Sequence, residues 1–199
     1  MDLWLYPPFR TRTSVGLVGT CVALGALHDG SIRPRAVRYF VDFCRFEDTV
    51  DEPSCTVVLY IGAPAEVVWD ALTDPDITMR YWHNTRLEST WLVGDPLLFV
   101  RNGDVTDRNT ILEVVKPQRL RYTFKPVFGD FASEAPSHVS MILDHDNGVT
   151  RLTLHHDQFA PDSAVLRACR IGWPMLLSSL KSLLECGTPL PHATFPAEA

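Results

Sequence analysis

The chain has 199 residues, 46% hydrophobic and 21% charged, which is enough to bury a substantial core in one domain plus an extension. Its formal net charge of -6 argues against a nucleic-acid partner, because phosphate binding requires a clustered excess of Lys and Arg. The five cysteines are far apart and form no Cys-x-x-Cys pair. This predicts free thiols and a cytoplasmic protein.

Residues 1–54 differ in character from the rest of the chain. Arg10 and Arg12 precede an uncharged stretch over residues 15–27, as in a secretory signal, but glycines interrupt the stretch and no Ala-x-Ala cleavage site follows. It is also shorter than the about 20 apolar residues of a membrane span. We therefore predict an irregular N-terminal extension over residues 1–54 and no membrane span; translated sequence upstream of the true start is the alternative.

Residues 55–187 have the pattern of a single domain. Residues 56–61 alternate as a strand, and two short helices follow, one beginning at Ala63-Pro64 and one running from Asp74-Pro75 to about Trp82. Further strands are predicted over residues 87–91, 96–101, 107–115, 119–127, 138–144 and 150–158. Turn residues between several of these strands indicate hairpins, so neighbouring strands should pair antiparallel.

The last predicted element is a helix over residues 163–186. Its apolar residues recur at spacings of three and four, so this face must be buried. Pro174 should kink the helix or begin a new one within it, and Gly187 should end it. The one-sided sheet and helix complete each other in a helix-grip fold of the α+β class. In that fold a curved antiparallel sheet of about six or seven strands wraps around the long C-terminal helix, and residues 188–199 form a tail.

Several segments resemble a known superfamily. Residues 61–75 read IGAPAEVVWDALTDP, residues 119–124 read RLRYTF, residues 150–154 read TRLTL, and Gly172-Trp173-Pro174 lies in the last helix. In this order they resemble the START-like (SRPBCC) superfamily, in the branch of prokaryotic homologues of the C-terminal domain of the heat-shock chaperone ATPase activator. Two features depart from that pattern: no separate N-terminal domain fits in the first 54 residues, and Asn109 stands where Gly is common.

The resemblance implies a cavity between sheet and helix, a small hydrophobic or amphipathic ligand, no cofactor, and a role related to the stress response. It leaves open a cyclase or dehydratase activity, a chaperone-interaction module and a homodimer, because one fold carries many functions. No Gly-rich phosphate loop, nucleophile elbow or His-x-x-x-His helix occurs in the sequence, so kinase, dinucleotide, α/β-hydrolase and zinc-protease readings have no support.

Candidate site residues follow from the predicted faces of the strands. His156 shares the inward register of Leu152 and Leu154, so it is either a hydrogen-bonded core residue or a general acid or base, with Tyr122 as a companion donor. Glu113 is a third catalytic candidate. No metal site is predicted, because His155 and His156 point to opposite faces. The predicted ligand-binding residues are Trp82, Trp91, Phe99, Tyr122, Phe124, Met141, His156, Trp173 and Leu177.

Overall fold

The structure, a computed structural model, describes residues 53–191. The expected extension over residues 1–54 lies outside this range except for its last two residues, and residues 192–199 of the expected tail also lie outside it. The described elements are β1 (Cys55–Ile61), α1 (Ala65–Thr73), α2 (Pro75–Tyr81), β2 (Thr85–Glu88), β3 (Pro96–Arg101), β4 (Asp104–Val115), β5 (Arg119–Phe124), a 3-10 turn (Gly129–Ser133), β6 (Ser137–Asp146), β7 (Val149–Asp157) and α3 (Ala164–Cys186).

The seven strands form one sheet in the order β1-β7-β6-β5-β4-β3-β2, and every neighbouring pair is antiparallel. The two Asn-Gly turns have positive φ at both residues, 53° and 93° at Asn102 and Gly103, 47° and 81° at Asn147 and Gly148. Both positions therefore have the geometry that tight two-residue hairpins require. The helix-grip fold predicted from the sequence is confirmed.

Helix α3 buries one face against the inner face of the sheet. Leu176, Leu180 and Leu183 are at most 5% exposed, in one apolar cluster with strand residues such as Leu152 and Leu154. The helix begins at Ser163, whose hydroxyl accepts from the backbone N–H of Leu166, and it ends at Gly187 with φ of 74°. It continues across Pro174, so of the two outcomes expected there, a kink or a new helix, the new helix does not occur. No helix within residues 53–191 is long and apolar enough to span a membrane.

Two strand predictions are wrong at their ends. Strand β2 stops at Glu88, and Trp91, predicted to lie in it, has φ of 60°, which is incompatible with a regular strand. Strand β5 stops at Phe124 instead of reaching residue 127, and beyond it Pro126 makes only an isolated bridge to Asp107. Backbone hydrogen bonds of Lys125 with Arg108 and of Val127 with Thr106 still hold this segment to β4 before the chain enters the 3-10 turn.

Asn109 takes part in an irregular stretch of strand β4. Its side-chain oxygen accepts from the backbone N–H of Lys125 at 2.8 Å, and the backbone N–H of Thr110 donates to the hydroxyl of Thr123 at 2.8 Å. Side chains therefore supply hydrogen bonds here that a regular ladder takes from the backbone, just before the register between β4 and β5 shifts at Ile111. The Asn that departs from the family pattern has a structural role.

Candidate functional site

A cavity of about 230 Å³ opens between the sheet and helix α3. One side is lined by sheet residues from β3 to the segment after β5, and the other by the first half of α3. The 3-10 turn and the end of α2 close two further sides, through Phe131 and Trp82. The cavity therefore lies where the sequence predicts it, between the sheet and the C-terminal helix.

Four aromatic side chains form the cavity wall and contact one another edge to face. The ring of Trp82 lies 5.2 Å from that of Phe99 and 5.7 Å from that of Trp173, while Phe124 lies 6.2 Å from Phe99 and 5.8 Å from Trp173. These distances are in the range of favourable aromatic pairs. Because each ring is held by two others, the wall is a preformed surface.

The mouth of the cavity lies between helix α3 and the segment that follows β5. Ala168 and Gly172, one turn apart on α3, are exposed and line the cavity. Opposite them Phe128 is 46% exposed, and its ring packs edge to face against Phe131 at 5.5 Å. Small side chains on one rim and an exposed aromatic ring on the other leave the interior accessible from solvent.

Asp107 and Arg101 provide the charged groups of the lining. Asp107 is only 5% exposed, and burial raises the pKa of its carboxyl group, although a hydrogen bond from Thr106 and the positive charge of Arg101 counteract this in part. The side chain follows the inward alternation of Asn109 and Ile111, and it lies directly beside an irregularity: Phe99 pairs with Asp107 but Val100 pairs with Val105, which leaves one extra residue in β4.

Four of the nine predicted ligand-binding residues line this cavity: Trp82, Phe99, Phe124 and Trp173. The other five are absent from its lining. Of these, Tyr122, Met141, His156 and Leu177 are at most 1% exposed and belong to the core, whereas Trp91 packs against the core from the loop after β2. Four of the six aromatic residues in the prediction therefore line the cavity, and the other five predicted residues lie behind it or away from it.

His156 is fully buried and engaged through both ring nitrogens. Its Nδ1 lies 3.0 Å from the indole N–H of Trp173, which can only donate, and its Nε2 lies 2.7 Å from the hydroxyl of Ser137. The imidazole is therefore neutral with its proton on Nε2. Burial lowers the pKa of His156 to about 3, with smaller contributions from the charges of His155 and His138. This geometry matches the core interpretation of His156 rather than that of a general base.

The other two catalytic candidates lie in different environments. The ring of Tyr122 is buried, and its hydroxyl has no hydrogen-bond partner within residues 53–191. Burial, followed by the charges of Asp107, Tyr81 and Cys169, raises the pKa of Tyr122 well above its ordinary value. Glu113 instead forms an ion pair of 3.1 Å with Arg119 at the partly exposed surface. The three candidates do not form one constellation.

The part of the chain that the structure describes contains no candidate metal site. No group of three His, Cys, Asp or Glu side chains within residues 53–191 is placed to hold an ion. His155 and His156 point to opposite faces of β7, with the side chain of His155 41% exposed and His156 fully buried.

Asp107 and Arg101 were not among the predicted site residues. Asp107 and Asn109 lie at inward positions of β4, as Ile111 does. Polar residues at two successive inward positions of a strand are unusual, so the sequence itself contains a sign of a polar site here. Arg101 carries no comparable signal, because it ends a strand next to a turn, where a charged residue is ordinary.

An antiparallel sheet that grips a C-terminal helix around an open cavity defines a START-like domain, as the sequence predicts. The family model described as "Activator of Hsp90 ATPase homolog 1-like protein" matches residues 62–185. The chain therefore belongs to the Activator of Hsp90 ATPase homolog 1-like family. No curated protein matches it.

Solved structures share this fold. Protein MLL2253 from Mesorhizobium loti is 27% identical, with a TM-score of 0.56 over 66% of this chain and 97% of that chain. The Aha1 dimer from Colwellia psychrerythraea is 20% identical, with a TM-score of 0.56 over 67% of this chain and 97% of that chain. An HSP90 activator from Plasmodium falciparum is 22% identical, with a TM-score of 0.57 over 68% of this chain and 97% of that chain.

Proposed function

We propose that the protein binds a small hydrophobic or amphipathic molecule in the cavity between the sheet and α3, and that binding rather than catalysis is its role. The observation that carries this proposal is the aromatic wall of Trp82, Phe99, Phe124 and Trp173, which surrounds open space instead of filling it. A mostly apolar, preformed concavity with a few polar groups is typical of small-molecule sites.

Gly172 supports the proposal independently. Glycine in the middle of a helix costs about 0.5–1 kcal/mol relative to alanine, and a Cβ atom added to Gly172 meets no heavy atom within 4 Å. No close packing contact therefore explains the residue, but its position at the cavity mouth does. A larger side chain there would extend into the space that a ligand crosses.

The size of the cavity limits the ligand. A volume of about 230 Å³ lies just below the roughly 300–1,000 Å³ of typical small-molecule sites. The ligand is therefore either a compact molecule of one or two rings or a longer one whose end extends through the mouth.

The test compares dye binding by the natural chain and by two phenylalanine variants of α3. In Gly172→Phe the new ring occupies the mouth, whereas in Ser178→Phe it lies on the exposed side of the same helix, away from the cavity. We expect a lipophilic fluorescent dye to bind the natural chain and Ser178→Phe alike, and Gly172→Phe about tenfold or more weakly. Equal binding by all three, or none by the natural chain, contradicts the proposal. Native mass spectrometry of gently purified protein then identifies the bound species.

A chaperone interaction is the second candidate, favoured by the family to which the chain belongs and by its likeness to an HSP90 activator. Leu92 and Val93 in the loop before β3 are 64% and 65% exposed, and adjacent exposed apolar side chains suit a protein contact. The test measures the ATPase rate of a purified Hsp90-class chaperone with the natural chain and with Leu92→Ser/Val93→Ser. An unchanged rate with the natural chain excludes this candidate.

A cyclase or dehydratase activity has less support than ligand binding. Both nitrogens of His156 are occupied, and neither His156 nor Tyr122 lines the cavity. A general base must reach the proton that it removes.

A further inference from the structure

The charged groups of the cavity lie side by side without forming an ion pair. Arg101 on β3 and Asp107 on β4 line the same cavity, and the charge of Arg101 acts on Asp107, but their nitrogen and oxygen atoms are not within the 4.0 Å of a salt bridge. A buried carboxyl group and a guanidinium normally pair directly when nothing else comes between them. The gap between the guanidinium of Arg101 and the carboxyl group of Asp107 therefore indicates room for a third polar group.

The guanidinium of Arg101 is held in place by Thr85, a residue that does not line the cavity. Its Nε donates to the hydroxyl of Thr85 at 3.0 Å, and Thr85 is fully buried on the neighbouring strand β2. Its two Nη atoms have no hydrogen-bond partner among residues 53–191. A guanidinium fixed through Nε with both Nη atoms available matches the planar, two-oxygen geometry of a carboxylate.

Asp107 complements such a ligand as a second polar partner. Asp107 is 5% exposed at the cavity wall, and burial raises the pKa of its carboxyl group; when protonated, this group can donate a hydrogen bond to a ligand oxygen. The hydroxyl of Tyr122 is also unpaired, and its pKa responds to the charges of Asp107 and Cys169, both of which line the cavity. Arg101 and Asp107 thus place polar groups at this end of an otherwise aromatic cavity, with the unpaired hydroxyl of Tyr122 in the core behind it.

We propose that the ligand is an amphipathic carboxylic acid. Its apolar part lies among Trp82, Phe99 and Phe124, and its carboxylate binds Arg101, with the carboxyl group of Asp107 as a second hydrogen-bond partner. This inference rests on the proposed ligand-binding function and adds the chemical class of the ligand.

The first test needs only the natural chain and three probes of one shape: 2-naphthoic acid, 2-naphthamide and 2-methylnaphthalene. Displacement of the lipophilic dye gives the affinity of each. We expect the acid to bind about tenfold or more tightly than the amide, because the carboxylate gains a charge-assisted contact with Arg101. Equal affinities for acid and amide overturn the inference but leave the ligand-binding function standing. If the dye binds but none of the three probes displaces it, the inference is overturned alone; if the dye itself does not bind the natural chain, both are rejected.

Two methionine variants then test whether Arg101 is the residue that binds the carboxylate. Arg101→Met keeps an unbranched apolar side chain but removes the guanidinium, and Arg108→Met makes the same change on the exposed side of β4. We expect Arg101→Met to lose the preference for the acid while still binding 2-methylnaphthalene, and Arg108→Met to keep the preference. If Arg101→Met is folded and still prefers the acid, Arg101 is not the partner.

Asp107→Asn tests the second partner. The amide of asparagine donates without needing a proton from solution, so this variant should bind 2-naphthoic acid at least as tightly as the natural chain. Weaker binding of the acid by a folded Asp107→Asn overturns the donor role of Asp107.

Discussion

The indole N–H of Trp173 donates to Nδ1 of His156 across 3.0 Å, which joins the helix of the fold to the inner face of its sheet. Trp173 has two roles, because its ring is also part of the cavity wall beside Trp82 and Phe124. The imidazole continues the chain of contacts to Ser137 on β6, whose hydroxyl also lies 3.4 Å from the carbonyl of Phe124. One wall of the cavity is therefore fixed by hydrogen bonds as well as by packing.

The first prediction concerns protonation of His156. Its pKa is lowered to about 3 in the folded protein from an ordinary value of 6.5, so the unfolded chain takes up a proton over a pH range in which the native protein does not. Stability should therefore fall as the pH decreases from about 6.5 toward 3, by up to about 1.4 kcal/mol per pH unit from this residue. Above pH 6.5 the residue should contribute no pH dependence.

Nuclear magnetic resonance measures this directly. The ring carbon and nitrogen shifts of His156 should stay constant between pH 8 and 5, with Nε2 protonated and Nδ1 unprotonated. A titration of this ring near pH 6.5 contradicts the prediction. Urea unfolding at several pH values provides the matching stability curve.

The second prediction isolates the indole hydrogen bond. Trp173→Phe keeps an aromatic ring but leaves Nδ1 of buried His156 without a donor, which should cost about 1–3 kcal/mol in addition to the lost packing volume. Trp82→Phe is the control, because it removes a similar ring area from the same wall, and the indole N–H of Trp82 donates to no other residue within 53–191. Urea unfolding should show the larger loss for Trp173→Phe; equal losses would mean that the hydrogen bond contributes little.

The fold was predictable from the sequence because alternation and turn residues act locally. Leu120, Tyr122 and Phe124 alternate with polar residues over the whole of β5, and the two Asn-Gly pairs specify hairpin turns wherever the strands lie. Long-range pairing then follows from the hairpins and from the one-sided helix. Local rules fail where the backbone departs from a regular strand, as at Trp91, and where a helix continues across a proline, as at Pro174.

The site was predictable only in part, because its polar end depends on register. The alternation of β4 directs Asp107 inward, but β3 and β4 pair with one extra residue beside it, and a single sequence does not reveal where a bulge falls or that Arg101 lines the same cavity. The role of His156 depends on Trp173, 17 residues away on another element, and on Ser137 on a neighbouring strand. The strand pattern predicted that His156 points inward but not which partners it meets there.

The third prediction concerns Glu134, which lies after the 3-10 turn and caps helix α3. Its carboxylate accepts from the hydroxyl of Ser163 and from the backbone N–H groups of Ala164 at 2.7 Å and Val165 at 3.2 Å. Burial raises the pKa of Glu134, but these hydrogen bonds outweigh it, and the pKa lies below its ordinary value of 4.5. The capping contribution should therefore be present above pH 4.5 and be lost as the pH falls through the lower pKa of the folded protein.

Glu134→Gln should lower the free energy of unfolding at neutral pH by about 1 kcal/mol, because it removes a negative charge from the N-terminus of a helix and weakens three hydrogen bonds. The change should also loosen the segment that carries Phe128 and Phe131 over the cavity. Glu66→Gln is the matched control, since Glu66 is an exposed acid in the first turn of α1. Hydrogen exchange should increase at Ala164 and Val165 in Glu134→Gln only; unchanged exchange there would contradict the capping role.

The fourth prediction is that one substitution at Gly172 raises the stability of the fold and slows ligand binding. Alanine suits a helix better than glycine, and the added Cβ meets no heavy atom within 4 Å, so Gly172→Ala should raise the free energy of unfolding by about 0.5–1 kcal/mol. The same methyl group narrows the cavity mouth, so dye association should slow while the depth of the cavity is unchanged. Thermal unfolding and stopped-flow fluorescence measure the two effects on one preparation. A variant that is more stable but binds the dye at an unchanged rate would mean that Gly172 does not border the entry path, and that ligands enter past Phe128 and Phe131 instead.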